Sequence, residues 1–261
     1  DANATDVGNL TWATDGNACH SSATYGYAAS GDHPVTTNIN KWSFASDGNA
    51  VAYSGTLTGG GWAGSGAYST THGYCTGRNN SGPLHDTIDK WNYASEANAT
   101  DVGNMTVPGS YTSGQSTETY GYCSAGGPGT HDNVIDRWSF ASDGNAVDVG
   151  DTARGVASAT GSQSLTHGYI MGGHDGSYTN EIERFAFGSS ANSTDTADLT
   201  TARADAAGTS STTHVYAAGG HIVGGVGMNN IDKMNTTTNA NATDVGDLVI
   251  GMTYLMTGCQ Y

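Results

Sequence analysis

The chain is short of positive charge: eight Lys and Arg stand against 24 Asp and Glu in 261 residues, a net charge of −16. That shortage excludes a nucleic-acid partner, whose phosphates need a basic patch. It favours solubility and suits cation-rich surroundings such as sea water or an extracellular matrix. No run of about 18 apolar residues occurs, so no membrane insertion by a helix is expected. The four cysteines, Cys19, Cys75, Cys123 and Cys259, form no C-x-x-C pair, which excludes a zinc ribbon or a thioredoxin-type site. Helical periodicity is missing as well: no window sustains a 3.6-residue period, and 39 glycines weaken any helix. The first residue is Asp, with no signal-like segment behind it, so processing is expected. There is no Gly-x-Ser-x-Gly elbow, Gly-rich phosphate loop or His-Glu-x-x-His, so no catalytic set emerges and no enzyme is expected.

What is present is a repeat. Residues 133–151, NVIDRWSFASDGNAVDVGD, read as two short strands around a turn at Asp143-Gly144-Asn145. Variants occupy 37–55, 86–104, 180–198 and 229–247, and a lone second half, DANATDVGNL, opens the chain. Counting from that half, units start at Asp1, Asp47, Glu96, Asp143, Ser190 and Asn239. Disorder does not fit, because Trp, Tyr, Phe and Ile recur at fixed places. Each unit holds four strand candidates, labelled a to d. Strand b carries an aromatic pair such as Tyr25/Tyr27 or His167/Tyr169, strand c is Ile-Asp-Arg-Trp-Ser-Phe in type, and strand d is Asn-Ala-Thr-Asp-Val-Gly-Asp-Leu in type. Short strands at this spacing predict one all-β domain over residues 1–261, a β-propeller of about five four-stranded blades. Strands b and c occur five times but d and a six times, so a surplus half-repeat is shared between the termini.

Three units place Gly-Gly after strand b (Gly126-Gly127, Gly172-Gly173, Gly219-Gly220), and two place an Arg beyond strand d (Arg154, Arg203). In this the chain resembles the kelch repeat over essentially its whole length, which implies the propeller fold. The Asn-Ala-Thr-Asp-Val-Gly-Asp flavour more narrowly resembles kelch-like repeats of tailed phages and marine microbial surface proteins. The pattern departs from the family at Ser30-Gly31 and Gly77-Arg78, where the double glycine is lost, and at the start of strand d, where Trp is replaced.

Five of the eight cations share one repeat position: Lys41, Lys90, Arg137, Arg184 and Lys233. Strand d offers Asp101, Asp148, Asp195 and Asp244. With Asp143-Gly144 as a two-residue turn, Ser139 faces Asp148 and Arg137 lies one diagonal away, which predicts a structural ion-pair ladder between strands c and d. Asp143, Asp148 and Asp151 with Asn145 offer the hard oxygens that Ca²⁺ takes, but at the spacing of no known loop. Turn chemistry is the simpler reading, and no cofactor is expected. The b–c loops, 30–36, 77–86, 125–132, 172–179 and 219–228, vary while the strands stay constant, and with them vary His33, His85, His131, His174, Asp175 and His221. These are the candidate binding residues, with no metal expected because equivalent positions in successive blades diverge.

The expected function is a non-enzymatic virion or cell-surface propeller, a structural, decoration or adhesion module. Its partners would be other virion or surface proteins or cell-surface glycans, within a homo-oligomer or larger assembly. The alternative is a secreted carbohydrate-binding lectin or carbohydrate-active propeller enzyme. Cys75 and Cys123 are expected to stay unpaired, since neighbouring blades stack about 10 Å apart. Cys19 and Cys259 share a parity on equivalent a strands and would bridge if the terminal copies dock side by side.

Overall fold

The computed structural model describes residues 2–82, 84–127 and 132–252. Among them are five antiparallel sheets and no helix. Blade 1 comprises β1 (Ala18–Ser21), β2 (Tyr25–Ala29), β3 (Ile39–Ser43) and β4 (Val51–Ala52); blade 2 comprises β5 (Ser65–Tyr68), β6 (His72–Thr76), β7 (Thr87–Asn92) and β8 (Thr100–Asn104). Blade 3 is β9 (Ser113–Ser116), β10 (Tyr120–Gly126), β11 (Asp132–Ser139) and β12 (Val147–Asp151). Blade 4 is β13 (Thr160–Gln163), β14 (His167–Met171), β15 (Glu181–Ala186) and β16 (Thr194–Asp198). Blade 5 is β17 (Ala207–Ser210), β18 (His214–Ala218), β20 (Val226–Asn235) and β21 (Thr243–Met252), with the short β19 (His221–Ile222) added beside the start of β20. The four main strands of every blade follow the predicted order a to d, so the chain is a five-bladed β-propeller with an extra strand in its last blade.

The aromatic pattern decides how blades pack. Gly26, Gly73, Gly121 and Gly168 on strand b lie opposite Trp42, Trp91, Trp138 and Phe185 on strand c. A Cβ on Gly121 would sit 2.3 Å from the Trp138 ring, so the glycine leaves room for the indole to lie across its own blade. In blade 5 both members change together, to Val215 and Met234, which conserves the filled volume. The tyrosine following each of these glycines faces the next blade: Tyr27 stacks on Tyr93 at 4.8 Å, Tyr74 on Phe140 at 4.6 Å, and Tyr122 meets Phe187 at 4.8 Å. Tyr169 and Met234 join blades 4 and 5 in the same way. Burial of such rings contributes roughly 1.5–3 kcal/mol each and is the main source of stability in a chain with so few large apolar residues.

The c–d register differs from the one expected. Asp136 pairs with Asp148 and Arg137 with Val147, so the connection is longer than two residues. The cause lies in the preceding blade. Ala146 N–H donates to the Asn104 carbonyl at 2.8 Å, and Asn104 N–H donates to Asn145 Oδ1 at 3.1 Å, which draws residues 145–146 away from their own strand c. The same two bonds link Asn98-Ala99 to Thr56, Asn192-Ser193 to Asp151, Asn241-Ala242 to Asp198 and Asn49-Ala50 to Asn9. They also link Asn3-Ala4 to Asp247. Six links thus close the rim, although only five complete blades stand inside it. The N-terminal half-repeat fills the sixth rim place, between β21 and β4.

One buried acid position recurs beneath each d–a turn. Thr58 and Thr106 donate both N–H and Oγ1 to Asp89 and Asp136, and Thr200 does so to Asp232. In blade 1 the acceptor is Asn40, reached by the N–H and hydroxyl of Thr11. In blade 4 it is Glu183, bonded by Ala153 N–H and Ser193 Oγ. Cys75 and Cys123 are buried, unbridged thiols, as expected. The proposed Cys19–Cys259 bridge lies outside the described residues.

Candidate functional site

The a strands surround a central channel, and the d–a turns and b–c loops gather at one end of it. Backbone bridges Asp15–Asp32, Trp62–Asn79, Ala157–His174 and Ala204–His221 tie each turn to its blade's loop. At the channel mouth five equivalent residues, Gly16, Ala63, Tyr111, Ser158 and Asp205, all adopt left-handed backbone conformations, with φ between 56° and 63°. They are joined head to tail: Asp205 N–H donates to the Ser158 carbonyl, Ser158 to Tyr111, Tyr111 to Ala63 and Ala63 to Gly16, at 2.6–3.1 Å. Four of the five carry side chains in a region that costs such residues on the order of 1 kcal/mol each. The ring of bonds holds them there.

Below the mouth the channel narrows because backbone meets backbone. Gly66, Gly114, Gly161 and Gly208 each lie against the carbonyl of the preceding a strand, and a Cβ on Gly208 would sit 2.0 Å from the Gly161 oxygen. The cavity left is about 80 Å³, room for a few waters but not for a sugar ring. At the far end the a–b turns frame a wider vestibule of about 490 Å³, lined mainly by hydroxyl side chains with Tyr68, Glu118 and Gln163. Large ligands therefore meet the molecule at its two mouths.

The loop-side mouth carries the richer chemistry. Trp62 meets Tyr111 edge-on at 5.4 Å. The Tyr111 hydroxyl is pushed up to about 12 by burial, and then by the charges of Asp205 and Asp15, so it stays protonated and able to donate. Tyr178 Oη lies 2.9 Å from His221 Nε2, and His221 Nδ1 lies 3.4 Å from Asp205 Oδ2, which places an imidazole between a phenol and a carboxylate. Arg154 pairs with Asp175 and, at 2.8 Å, with Glu181. His20 lies deeper, between blades 1 and 2, stacked on Tyr27 and edge-on to Trp91; complete burial lowers its pKa to about 3, so it packs as a neutral ring.

The residues singled out from sequence are scattered among these groups. His221 and Asp175 belong to the mouth, and His174 packs against Tyr178 at 5.1 Å. His33 is exposed, 3.9 Å from Asp15, and His85 is half-buried beside Arg78, whose carbonyl accepts its N–H. His131 lies outside the described residues. Among the described residues no three His, Cys, Asp or Glu side chains converge in a metal-binding group.

The cations at the shared repeat position do not build a ladder to the strand-d acids. Lys41 reaches Glu96, and Lys90 reaches Asp143 at 2.7 Å, in each case the c–d turn of the following blade. Arg137 lies over the Tyr120 ring at 4.8 Å. Asp101, Asp148 and Asp244 instead accept the N–H of the glycine two residues on. The shifted register explains this: Asp148 stands across from Asp136, and Arg137 across from Val147. Arg184 and Asp195 sit at the corresponding places of blade 4, and Lys233 at that of blade 5. The acids considered for Ca²⁺ are engaged likewise, Asp143 with Lys90 and Asp148 with Gly150.

Sequence reasoning passed over Trp62, Tyr111, Tyr178 and Asp205. Their signal was a constant offset before each strand a, but that offset carries five different residues and so shows no motif.

These features define the class: a β-propeller with kelch-like blades and a chemically varied mouth at the loop end. Among solved structures the chain matches that of YjhT, with a TM-score of 0.78 and 13% identity over 94% of this chain and 87% of the other. No protein-family model matches the sequence. No curated protein matches it either. In all, 428 solved chains share the fold, so the scaffold alone assigns no activity, and function has to be argued from the mouth.

Proposed function

We propose that the chain is a non-enzymatic recognition module on a virion or cell surface, and that it binds glycans or surface proteins with its loop-side mouth. The observation that carries this reading is the ring of Gly16, Ala63, Tyr111, Ser158 and Asp205: one backbone conformation, repeated with different side chains. A repeat under purely structural demand would keep one residue there. A binding face keeps the frame and varies the groups it presents. Tyr111 and Trp62 supply ring faces, while Asp205, Tyr178 and Ser158 supply acceptors and donors, the mixture that suits sugar rings and polar protein surfaces. The charge of −16 fits work outside a cell, where like-charged copies stay dispersed.

A glycan array probed with the intact protein, alongside Tyr111→Ala and a variant with residues 174–177 replaced by Gly-Ser, tests the reading. Binding by the parent and at least tenfold loss in both variants, with unchanged circular dichroism, supports it; undiminished binding by both places the surface elsewhere. A second reading, a carbohydrate-active enzyme, is favoured by the Asp205–His221–Tyr178 array, which has the geometry to orient a proton. Glycan turnover abolished by His221→Asn would replace the first reading with this one.

A further inference from the structure

Four blade interfaces are filled in one way and the fifth is not. Tyr27, Tyr74, Tyr122 and Tyr169 are each about 1% exposed or less, because a strand-c residue of the next blade covers them. Their counterpart in blade 5, Tyr216, is only half-buried. On the facing side, Trp91, Trp138, Phe185 and Met234 are 1–3% exposed. Their counterpart in blade 1, Trp42, is half-buried, and Phe44, equivalent to the stacked Tyr93, Phe140 and Phe187, is 50% exposed. The apolar core follows the same division: four clusters, each spanning one neighbouring pair of blades, with none joining blade 5 to blade 1.

The rim tells what belongs between them. Its sixth place is already taken by residues 3–9, bonded on one side to Asp247 and on the other to Asn49-Ala50, as in a complete blade. A blade with its d strand in place and an uncovered tyrosine and tryptophan on either flank lacks strands b and c. Each of the five b–c hairpins of this chain is built into its own sheet and is not available to fill the place.

We infer that the slot between blades 5 and 1 receives a β-hairpin of the same b–c pattern from a second polypeptide, a partner that completes the ring by strand insertion. The four filled interfaces specify its chemistry. Its first strand carries a tyrosine after glycine, to cover Trp42 and Phe44; its second carries Trp or Phe three residues after a buried Ile, to cover Tyr216. Backbone pairing to an edge strand supplies affinity, and the two aromatic contacts supply selectivity.

The probe is a synthetic peptide of residues 167–187, which has both strands, no cysteine and the required rings. Titrated calorimetrically into the intact protein, it is expected to bind one to one, with at least tenfold weaker binding by a peptide in which Tyr169, Phe185 and Phe187 are Ser. Trp42→Ser in the protein is expected to weaken the parent peptide to a similar degree. The substituted peptide tests the slot without touching the protein's own folding. No binding up to millimolar peptide, or equal binding of both peptides, overturns the inference. So does a stable dimer of the protein alone with Trp42 protected from oxidation, which assigns the slot to a second copy.

Discussion

Blades 2 and 5 hold the same buried ion pair from opposite directions. In blade 5 the cation is Arg203, on the d–a turn; it meets Asp232 at 3.1 Å and donates to the Ala217 carbonyl, and the b–c loop opposite has Gly220. In blade 2 the turn has Gly61 at the place of Arg203, and the loop has Arg78 at the place of Gly220. Arg78 crosses the space the glycine leaves and meets Asp89 at 2.8 Å. A Cβ on Gly61 would lie 2.6 Å from the Arg78 Cβ, so the two arginine positions exclude each other. What the repeat preserves is a guanidinium at one point in space. The loss of Gly-Gly at Gly77-Arg78, which reads in sequence as decay of the motif, is a relocation.

The largest effect should follow from removing one cation. All four side chains of the two pairs are at most 1% exposed, so Arg203→Ala leaves Asp232 charged and unpaired in the interior. The expected loss is about 3–5 kcal/mol, read from urea unfolding. Arg203→Met combined with Asp232→Asn should recover most of it, because the cost lies in the orphaned charge. A loss below about 1 kcal/mol for Arg203→Ala would mean that water reaches the site.

An intermediate effect sharpens the relocation itself. Arg78→Gly should destabilise blade 2, and Gly61→Arg alone should do so by collision with Arg78. The double substitution rebuilds the blade 5 arrangement and should be more stable than either single variant. A coupling of about 1–3 kcal/mol is expected from the double-mutant cycle. Simple additivity would show that the two blades are not interchangeable.

Sequence made the blade count, strand order and inter-blade aromatics legible, because ring size and spacing survive divergence: Trp91 and Trp138 stand where the pattern put them. It did not reveal the c–d register, since the bonds that lengthen that turn come from Asn104 of another blade, 41 residues away. Nor did it reveal the channel mouth. The left-handed ring is a property of the backbone, and residues as unlike as Ala63, Tyr111 and Asp205 occupy it. His221 was singled out for recurrence among loop histidines, whereas its place in the site comes from Tyr178 and Asp205.

The smallest effect concerns blade 3, where neither arginine position is filled: Gly109 stands on the turn and Gly126 on the loop. Asp136 keeps the two bonds from Thr106 but has no guanidinium, and burial pushes its pKa up against those bonds. Blade 1 shows the neutral solution, since Asn40 Oδ1 accepts from both the N–H and the hydroxyl of Thr11. Asp136→Asn should therefore keep the contact and remove the cost of a buried charge, stabilising the protein at pH 7 by on the order of 1 kcal/mol. The sign follows from linkage. Below the unfolded carboxylate range, about pH 4, both states of the parent bind the proton, and parent and variant should differ least. As pH rises from there through the raised native pKa, the unfolded chain ionises freely while the folded one must hold the charge, so the parent loses ground. Above the native pKa the advantage of the variant should level off. Urea midpoints at several pH values between 3.5 and 8 measure this difference. An advantage that shrinks as pH rises would mean that the Thr106 bonds favour the carboxylate by more than burial opposes it.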